Sequence, residues 1–352
     1  MKRGRVWLSL AAAVSILLAA CTTATSAPPT VAPAPTTAPA TAVVAAPTTA
    51  PAATTAPTAA PTTAPTVAAP TAAPTVAATA AAPGLLDDIQ KRGYMLISND
   101  PNYAPQSVLK KDGTRNAGTK CPSDAFTTGE MEGFDVDVAA AVSKAIGVEP
   151  CFVTPDWTVI TAGNWGDKWD ISIGSMTITT ERQKALAFTV PYYYTPAQMA
   201  VAKDSGITQL SDLAGKPICV GTGTTYEEWL NGQLGIPAED IYAQPPAKVT
   251  VVSLQTDQNC PQSIAAGRKD FLAYLTSASV VDQNIKAGLP VVKLGSPVYV
   301  ENLAVAIDKA HKLDITSLNQ KLSDAITAMH TDGSLTTLSM KWFGADLTQA
   351  PK

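Results

Sequence analysis

Thr224 and Thr225 each precede a glutamate by three residues, Glu227 and Glu228, which is the spacing of a capping box at a helix start. Free amide groups at such a start, with the helix dipole behind them, attract a carboxylate or phosphate. Gly223, directly before them, lets a ligand approach the backbone closely. The plainer alternative is that the two threonines only cap their own helix. A second donor set is Ser175-Met176-Thr177-Ile178-Thr179-Thr180-Glu181-Arg182, where a strand pattern gives way to a helix pattern. Arg182 in that first turn is electrostatically misplaced, because the N-terminal end of a helix is already positive. An anionic partner would correct this, and a planar guanidinium can grip a carboxylate through two parallel hydrogen bonds where lysine cannot. An ordinary ion pair with Glu181 or another acid is the alternative.

Other chemistry is missing. The chain has no G-x-S-x-G elbow, no G-x-x-x-x-G-K-S/T loop and no H-E-x-x-H pair, and Gly221-Thr222-Gly223 lacks the third glycine of a dinucleotide fingerprint. Of the two histidines, His311 lies in a polar segment before the penultimate helix and His330 near that helix's end, where surface or structural roles are expected. No metal site and no cofactor is expected. Carboxylates remain available as acids and bases, so an enzymatic role stays open as an alternative.

These residues need a scaffold, and composition says where it lies. Residues 22–83 contain only Ala, Pro, Thr and Val apart from Ser26, so burial there cannot offset conformational entropy and no packed core is expected. The folding unit is expected at residues 84–352. All three charged residues ahead of it (Lys2, Arg3, Arg5) are basic, so a chain of net charge −4 has a body of net charge −7. That balance argues against a nucleic-acid partner. No stretch of the body stays apolar over about 18 residues, so no membrane span is expected.

Before the tract, the three basic residues precede an apolar run from Val6 to Ala20 that ends in Leu18-Ala19-Ala20-Cys21. A basic start, a short apolar centre and small residues before a cut describe an export signal. With Cys21 at the cut, the segment resembles the bacterial lipoprotein signal, which implies acylation of Cys21 and a lipid anchor on the outer face of the cell membrane. Residues 22–83 would then be a tether in polyproline II geometry. At about 3.1 Å per residue its full extension is on the order of 190 Å.

Along the body, Leu85, Leu86 and Ile89 predict a short helix at 84–92, followed by a strand at 94–98 and a turn at 100–105. Phe134, Val138, Val142 and Ile146 recur every four residues before Gly147, predicting a helix from about Asp135. Strands are expected at 148–153, 169–175 and 198–203, with a helix start at 180–186. The second half restarts the alternation with a strand at 217–221 and a helix from about 224. Further strands are expected at 249–254, 271–275, 291–294 and 303–307, and final helices at 315–331 and 335–342. The alternation predicts an α/β fold of parallel strands and helical crossovers. Two such units would leave a cleft between them, outside the carboxyl ends of the strands. Four cysteines remain, Cys121, Cys151, Cys219 and Cys260, an even number in an exported chain and therefore two expected disulfides. Of the three connectivities, Cys121 with Cys151 and Cys219 with Cys260 keeps each bridge inside one unit.

Gly133-Phe134-Asp135-Val136-Asp137-Val138, the Trp169 to Arg182 segment, Phe188-Thr189-Val190-Pro191-Tyr192-Tyr193, Leu213-Ala214-Gly215-Lys216 and Gly221 to Tyr226 resemble, in order, the extracellular solute-binding proteins of family 3. Gly267-Arg268-Lys269-Asp270, Asp332-Gly333-Ser334-Leu335 and Lys341-Trp342-Phe343-Gly344 extend the likeness over nearly all of residues 85–346. These are the polar amino acid receptors of ABC importers. The resemblance implies a two-lobed periplasmic-binding-protein fold of type II with a hinge of two crossing strands. Lobe 1 would comprise 84–194 with 299–352, and lobe 2 would comprise 195–298. It also implies a monomeric receptor that delivers a small carboxylate-bearing solute to permease subunits.

By the same resemblance, Arg182 pairs with the ligand carboxylate, helped by the amides of Thr177 and Thr225, with Thr224 and Gly223 at the same helix start. Ser175 offers its carbonyl and hydroxyl, Asp100 and Tyr103 line the first lobe, and Trp157 packs on the ligand. Judged without the family, Asp100 could simply make a turn before Pro101, and Tyr103 and Trp157 could be core. One position departs from the pattern. Where the family places an aspartate for the ligand ammonium, this chain has Leu275, and a buried ammonium without a counter-charge is costly. Either another acid such as Asp100 serves, or the ligand is not an ordinary α-amino acid. The same fold also hosts dehydratases, a cell-wall-lytic module and sensory binding lobes, which stand as alternatives.

Overall fold

The computed structural model describes residues 84–350. Cys21, its signal and the 22–83 tract lie outside the described residues. The chain begins with α1 (Leu85–Arg92), β1 (Tyr94–Ser98), β2 (Asn102–Tyr103), β3 (Ser107–Leu109), β4 (Met131–Glu132), α2 (Phe134–Ala145), β5 (Glu149–Val153), α3 (Trp157–Ala162) and β6 (Ile171–Thr177). It continues with α4 (Arg182–Ala185), β7 (Leu186–Ala202), β8 (Pro217–Gly221), α5 (Thr225–Leu230), β9 (Thr250–Leu254), α6 (Asn259–Ala265) and β10 (Ala273–Ser277). The last elements are α7 (Ala278–Lys286), β11 (Val291–Lys293), β12 (Tyr299–Asp308), α8 (Thr316–Thr331) and α9 (Ser334–Phe343).

The main sheet runs β5-β1-β6-β12-β7-β10-β8-β9, with β11 alongside β7. It is mixed where parallel strands were expected. β1 pairs in parallel with β5 and β6, and β8 with β9 and β10, but β7 and β12 are antiparallel to each other and to their outer neighbours. β7 also starts twelve residues before the expected strand at 198. Pro191 and Pro196 mask it, because proline cannot donate to a ladder and is confined to bulges or edges. Here Pro191 sits where the pairing with β12 shifts register.

Apolar residues gather in separate cores along this sheet. One contains Ile89, Met95, Phe134, Val138, Val142, Tyr192, Tyr193, Leu303, Ile307 and Leu322. A second contains Ala197, Met199, Ile218, Trp229, Leu275 and Tyr299, and a third layer under it holds Cys219, Cys260, Phe271 and Val281. Each fully buried Leu, Ile or Phe contributes about 1.5–3 kcal/mol. β7 and β12 each supply residues to both the first and second cores, so these two strands are the covalent passage between them. Disulfides join Cys121 to Cys151 and Cys219 to Cys260, the pairing preferred above. Among the described residues, no helix is long and apolar enough to cross a membrane.

Candidate functional site

A pocket opens where the carboxyl ends of β6 and β8 meet the middle of β12. Its walls include Asp100 after β1, Tyr103 of β2, Trp157 at the start of α3, and Ser175 and Thr177 of β6. From the other side come Thr224, Thr225 and Tyr226 of the α5 start, then Thr256 and Asp257 after β9, with Glu301 of β12 and Arg182 of α4 completing the wall.

Arg182 is 4% exposed. One terminal nitrogen donates to the Thr177 carbonyl at 3.1 Å and the other to the Gly223 carbonyl at 3.2 Å. Its guanidinium carbon lies 5.5 Å from the centre of the Trp157 ring, whose Nε1 also donates to the Gly223 carbonyl, at 3.1 Å. Gly223 has φ +73°, a left-handed conformation that glycine adopts at no steric cost and that belongs to the turn presenting its carbonyl to both groups. Among the described residues no carboxylate stands within 4 Å of Arg182. Burial pushes its pKa below the usual arginine range, and Glu228 and Glu301 oppose that through space. A guanidinium nonetheless stays protonated in proteins. The outcome is a buried cation with donors to spare and no ion-pair partner.

Glu301 is the pocket's buried acid on β12, 2% exposed. Thr177 and Thr225 both donate to its Oε1 at 2.6 Å, and Tyr226 donates to its Oε2 at 2.8 Å. The Tyr226 hydroxyl also meets that of Tyr103 at 3.2 Å. Burial raises the Glu301 pKa, while these hydroxyls and Arg182 pull it back. Asp257 accepts from the Gly221 N–H at 3.0 Å and from the Thr276 hydroxyl at 3.2 Å. Its pKa is pushed up to about 8, chiefly by burial, with repulsion from Asp100 and Glu301 adding to it. Burial likewise raises Asp100, which accepts from the Asn102 N–H at 2.8 Å. Asp100 therefore makes the turn foreseen for it and lines the pocket as well.

Eight of the ten ligand-contact residues expected from the sequence line one pocket: Arg182, Thr177, Ser175, Thr225, Thr224, Asp100, Tyr103 and Trp157. Gly223 stands just behind, contributing its carbonyl. Leu275 does not line the pocket. Its side chain points into the second core, 1% exposed, because it alternates with Thr276 along β10 and only the threonine reaches Asp257. Ser175 has φ +55°, and its hydroxyl is already engaged, donating to Asp135 at 2.7 Å and accepting from Tyr193 at 2.6 Å. The expected capping box is also rearranged. Thr224 accepts from the Glu227 N–H at 3.3 Å, but the Glu227 carboxylate reaches back to Gly223 at 2.7 Å, and Thr225 serves Glu301 instead.

Asp257 and Glu301 were not singled out from the sequence. The signal for Glu301 is a lone charge in an apolar strand run, Tyr299 to Ile307. Asp257 sits in Gln255-Thr256-Asp257-Gln258-Asn259 and carries no such mark. The two histidines stand elsewhere, His330 Nε2 at 2.9 Å from the Pro191 carbonyl and His311 Nε2 at 3.3 Å from Asp167. Among the described residues, no three His, Cys, Asp or Glu side chains are placed to hold a metal ion.

A family model for bacterial extracellular solute-binding proteins, family 3, matches residues 113–345. The L-cystine-binding protein TcyJ of Escherichia coli (strain K12) is 30% identical over 268 residues, covering 76% of this chain and 88% of that protein. The histidine-binding periplasmic protein of Salmonella typhimurium (strain LT2) is 28% identical, covering 71% of this chain and 88% of that protein. Among solved structures, the ancestral amino acid-binding protein AncCDT-1, described as a precursor of cyclohexadienyl dehydratase, matches with a TM-score of 0.59 and 28% identity over 73% of this chain and 99% of its own. With its two cores, its paired crossing strands and its pocket between them, this chain belongs to the bacterial extracellular solute-binding proteins, family 3.

Proposed function

We propose that the protein is the receptor of an ABC importer that captures one amino acid between two lobes, with the α-carboxylate on Arg182, and hands it unchanged to the permease. The observation that carries this is a guanidinium buried at the pocket wall with no carboxylate within 4 Å. A desolvated cation without a partner is costly, and a ligand carboxylate supplies one with good geometry. That relatives matched over 88% of their own length are named for the amino acids they bind supports the choice of ligand class.

Crossings near 194/195 and 298/299 would divide the lobes, consistent with the residues that β7 and β12 give to each core. Closure would be driven by whatever ligand binds the closed form better. Acylation at Cys21 would tether a monomeric body to the cell membrane through residues 22–83. A membrane fraction that loses the protein on Cys21→Ala tests this.

Thermal-shift screening of the purified protein against amino acids, dicarboxylates and related solutes, followed by calorimetry, tests the receptor function. One small carboxylate should raise the melting temperature, be recovered chemically unchanged, and lose its effect with Arg182→Ala. An undiminished response in that variant overturns the clamp, and conversion of the ligand overturns simple capture.

A further inference from the structure

Asp135 is wholly buried in the first turn of α2 and does not line the pocket, yet it is tied to a residue that does. Ser175 stands where β6 bulges: Met176 pairs with Ala304 and Ser172 with Ala306, so Ile173, Gly174 and Ser175 together answer to Val305 alone. Bulges beside binding sites re-aim the chain. Here the bulge places Gly174 and Ser175 on the pocket wall and leaves Ser175 with φ +55°. A residue other than glycine holds such a conformation only where its surroundings impose it.

Those surroundings lead to Asp135. The Ser175 hydroxyl donates to Asp135 Oδ2 at 2.7 Å, while the Ser175 N–H donates to the Tyr192 hydroxyl at 3.0 Å, which donates in turn to Asp135 Oδ1 at 2.8 Å. The ring closes on one carboxylate, with Tyr193 donating to the Ser175 hydroxyl from outside it at 2.6 Å. Each hydroxyl has a single proton to give. Both ring hydroxyls spend theirs on the carboxylate, so the ring is complete only when Asp135 is ionised. A proton on either carboxyl oxygen would have to be donated to the Ser175 or the Tyr192 oxygen, and that hydroxyl's own proton would lose its acceptor. The remaining bonds would also lose the strength that a charged acceptor gives them.

We propose that Asp135 is a positioning residue of the pocket, its carboxylate holding Ser175 in the left-handed conformation that shapes the wall, so that affinity for the captured amino acid falls when this carboxyl takes up a proton. The inference rests on the receptor function proposed above. Burial lifts the Asp135 pKa to about 7. Because the ionised form is the one that binds, affinity is fullest above that value and is lost as pH falls through it. Facing Asp135 are Tyr192 and Tyr193, both kept neutral by burial, with Glu301 beyond Tyr193. Among the described residues no lysine, arginine or histidine stands within 4 Å of it. Of the other charged residues on α2 and the elements packed against it, His330 is turned to the Pro191 carbonyl, Lys341 pairs with Asp137, Glu149 accepts from Thr119 and Lys120, and Glu132, Lys144, Lys321 and Asp324 are exposed.

The probe for the test is whichever of the twenty common L-amino acids and L-cystine most raises the melting temperature of the purified full chain at pH 8. Its dissociation constant is then measured by calorimetry from pH 8.5 to pH 5.5 on the parent and on Asp135→Asn, whose amide presents only one acceptor atom to the two hydroxyls. At pH 8.5 the variant should bind about 10-fold more weakly, the scale of a hydrogen bond to a charged group. By pH 5.5 the parent should have lost that advantage, the two agreeing within about 2-fold as Asp135 becomes protonated. The ratio isolates Asp135, because Asp257, pushed up to about 8, titrates in both proteins alike. A residue that merely stabilised the fold would give a ratio that does not change with pH. Where Asp135→Asn fails to fold, Ser175→Ala, which removes one arm of the ring and keeps the carboxyl, is read against the parent in the same way. A ratio constant over this range, or no difference at pH 8.5, overturns the inference and leaves the receptor function standing. Failure of every probe to bind removes both.

Discussion

The Arg182 guanidinium bridges two carbonyls from different walls of the pocket, Thr177 at 3.1 Å and Gly223 at 3.2 Å. Its fork is thereby fixed in plane before any ligand arrives, which lowers the ordering cost of binding. Arg182→Lys keeps the charge but cannot span both carbonyls and a carboxylate. It should weaken ligand binding by roughly 2–5 kcal/mol, the cost of spoiling a buried, hydrogen-bonded charge pair. Calorimetry reads the loss, and a melting temperature near that of the parent separates lost recognition from lost folding.

Glu301 collects hydroxyls from Thr177, Thr225 and Tyr226. Removing the carboxylate orphans the Thr177 and Thr225 hydroxyls at once and leaves Tyr226 only the hydroxyl of Tyr103. With about 1–3 kcal/mol for each donor left buried and unsatisfied, Glu301→Ala should destabilise the ligand-free protein by several kcal/mol, more than Thr177→Val, which removes one donor and leaves two. Urea denaturation of the two variants checks the order.

How much of this was visible beforehand depends on range. Helix α2 was legible because Phe134, Val138 and Val142 are spaced for one buried face, and all three are fully buried. Arg182 was legible because a cation in the first turn contradicts the helix dipole, a conflict contained within a few residues. β7 was hidden by Pro191 and Pro196, whose local preference is overruled by pairing with β12 more than a hundred residues away. Glu301 and Asp257 were hidden for a deeper reason. A carboxylate can be buried only if donors meet it, and those donors, Thr177, Thr225, Gly221 and Thr276, come from four separate elements. No window of the sequence contains the condition that makes either residue special.

The two disulfides should divide stability from binding. Loop closure over 41 and 30 residues restricts the unfolded chain by a similar amount, so loss of either bond should cost about 4 kcal/mol. Only Cys260 adjoins the pocket: its N–H donates to the Asp257 carbonyl at 3.2 Å. Replacing Cys219 and Cys260 with alanine should therefore also reduce ligand affinity several-fold, whereas replacing Cys121 and Cys151 should leave affinity unchanged. Melting curves and calorimetry on both double variants check the division, and equal affinities for the two would defeat it.

Buried carboxyl groups should also give the ligand-free protein an unusual pH profile. Asp135 accepts from Ser175 and Tyr192 at 2.7 and 2.8 Å, yet burial outweighs these bonds and lifts its pKa to about 7. Asp257 is lifted to about 8. In the unfolded chain both return to the ordinary range near 4, so between about pH 4 and 8 the folded state holds protons that the unfolded state has released. Stability must then fall as pH rises through that window. The depressed carboxyl groups, Asp167, Asp212, Asp270, Asp314, Asp332 and Asp346, act in the opposite sense, but only below the window, where the unfolded chain takes up protons that they refuse. Asp135→Asn cannot ionise, so its urea midpoint should decline less from pH 5 to pH 8. Over that range the folded group keeps its extra proton for about two pH units, so the difference between the two declines is on the order of 3 kcal/mol. The amide fits the Ser175 and Tyr192 donors less well, which lowers stability at every pH and makes the slope the informative quantity. A parent protein more stable at pH 8 than at pH 5 would mean that Asp135 and Asp257 are ionised in the fold.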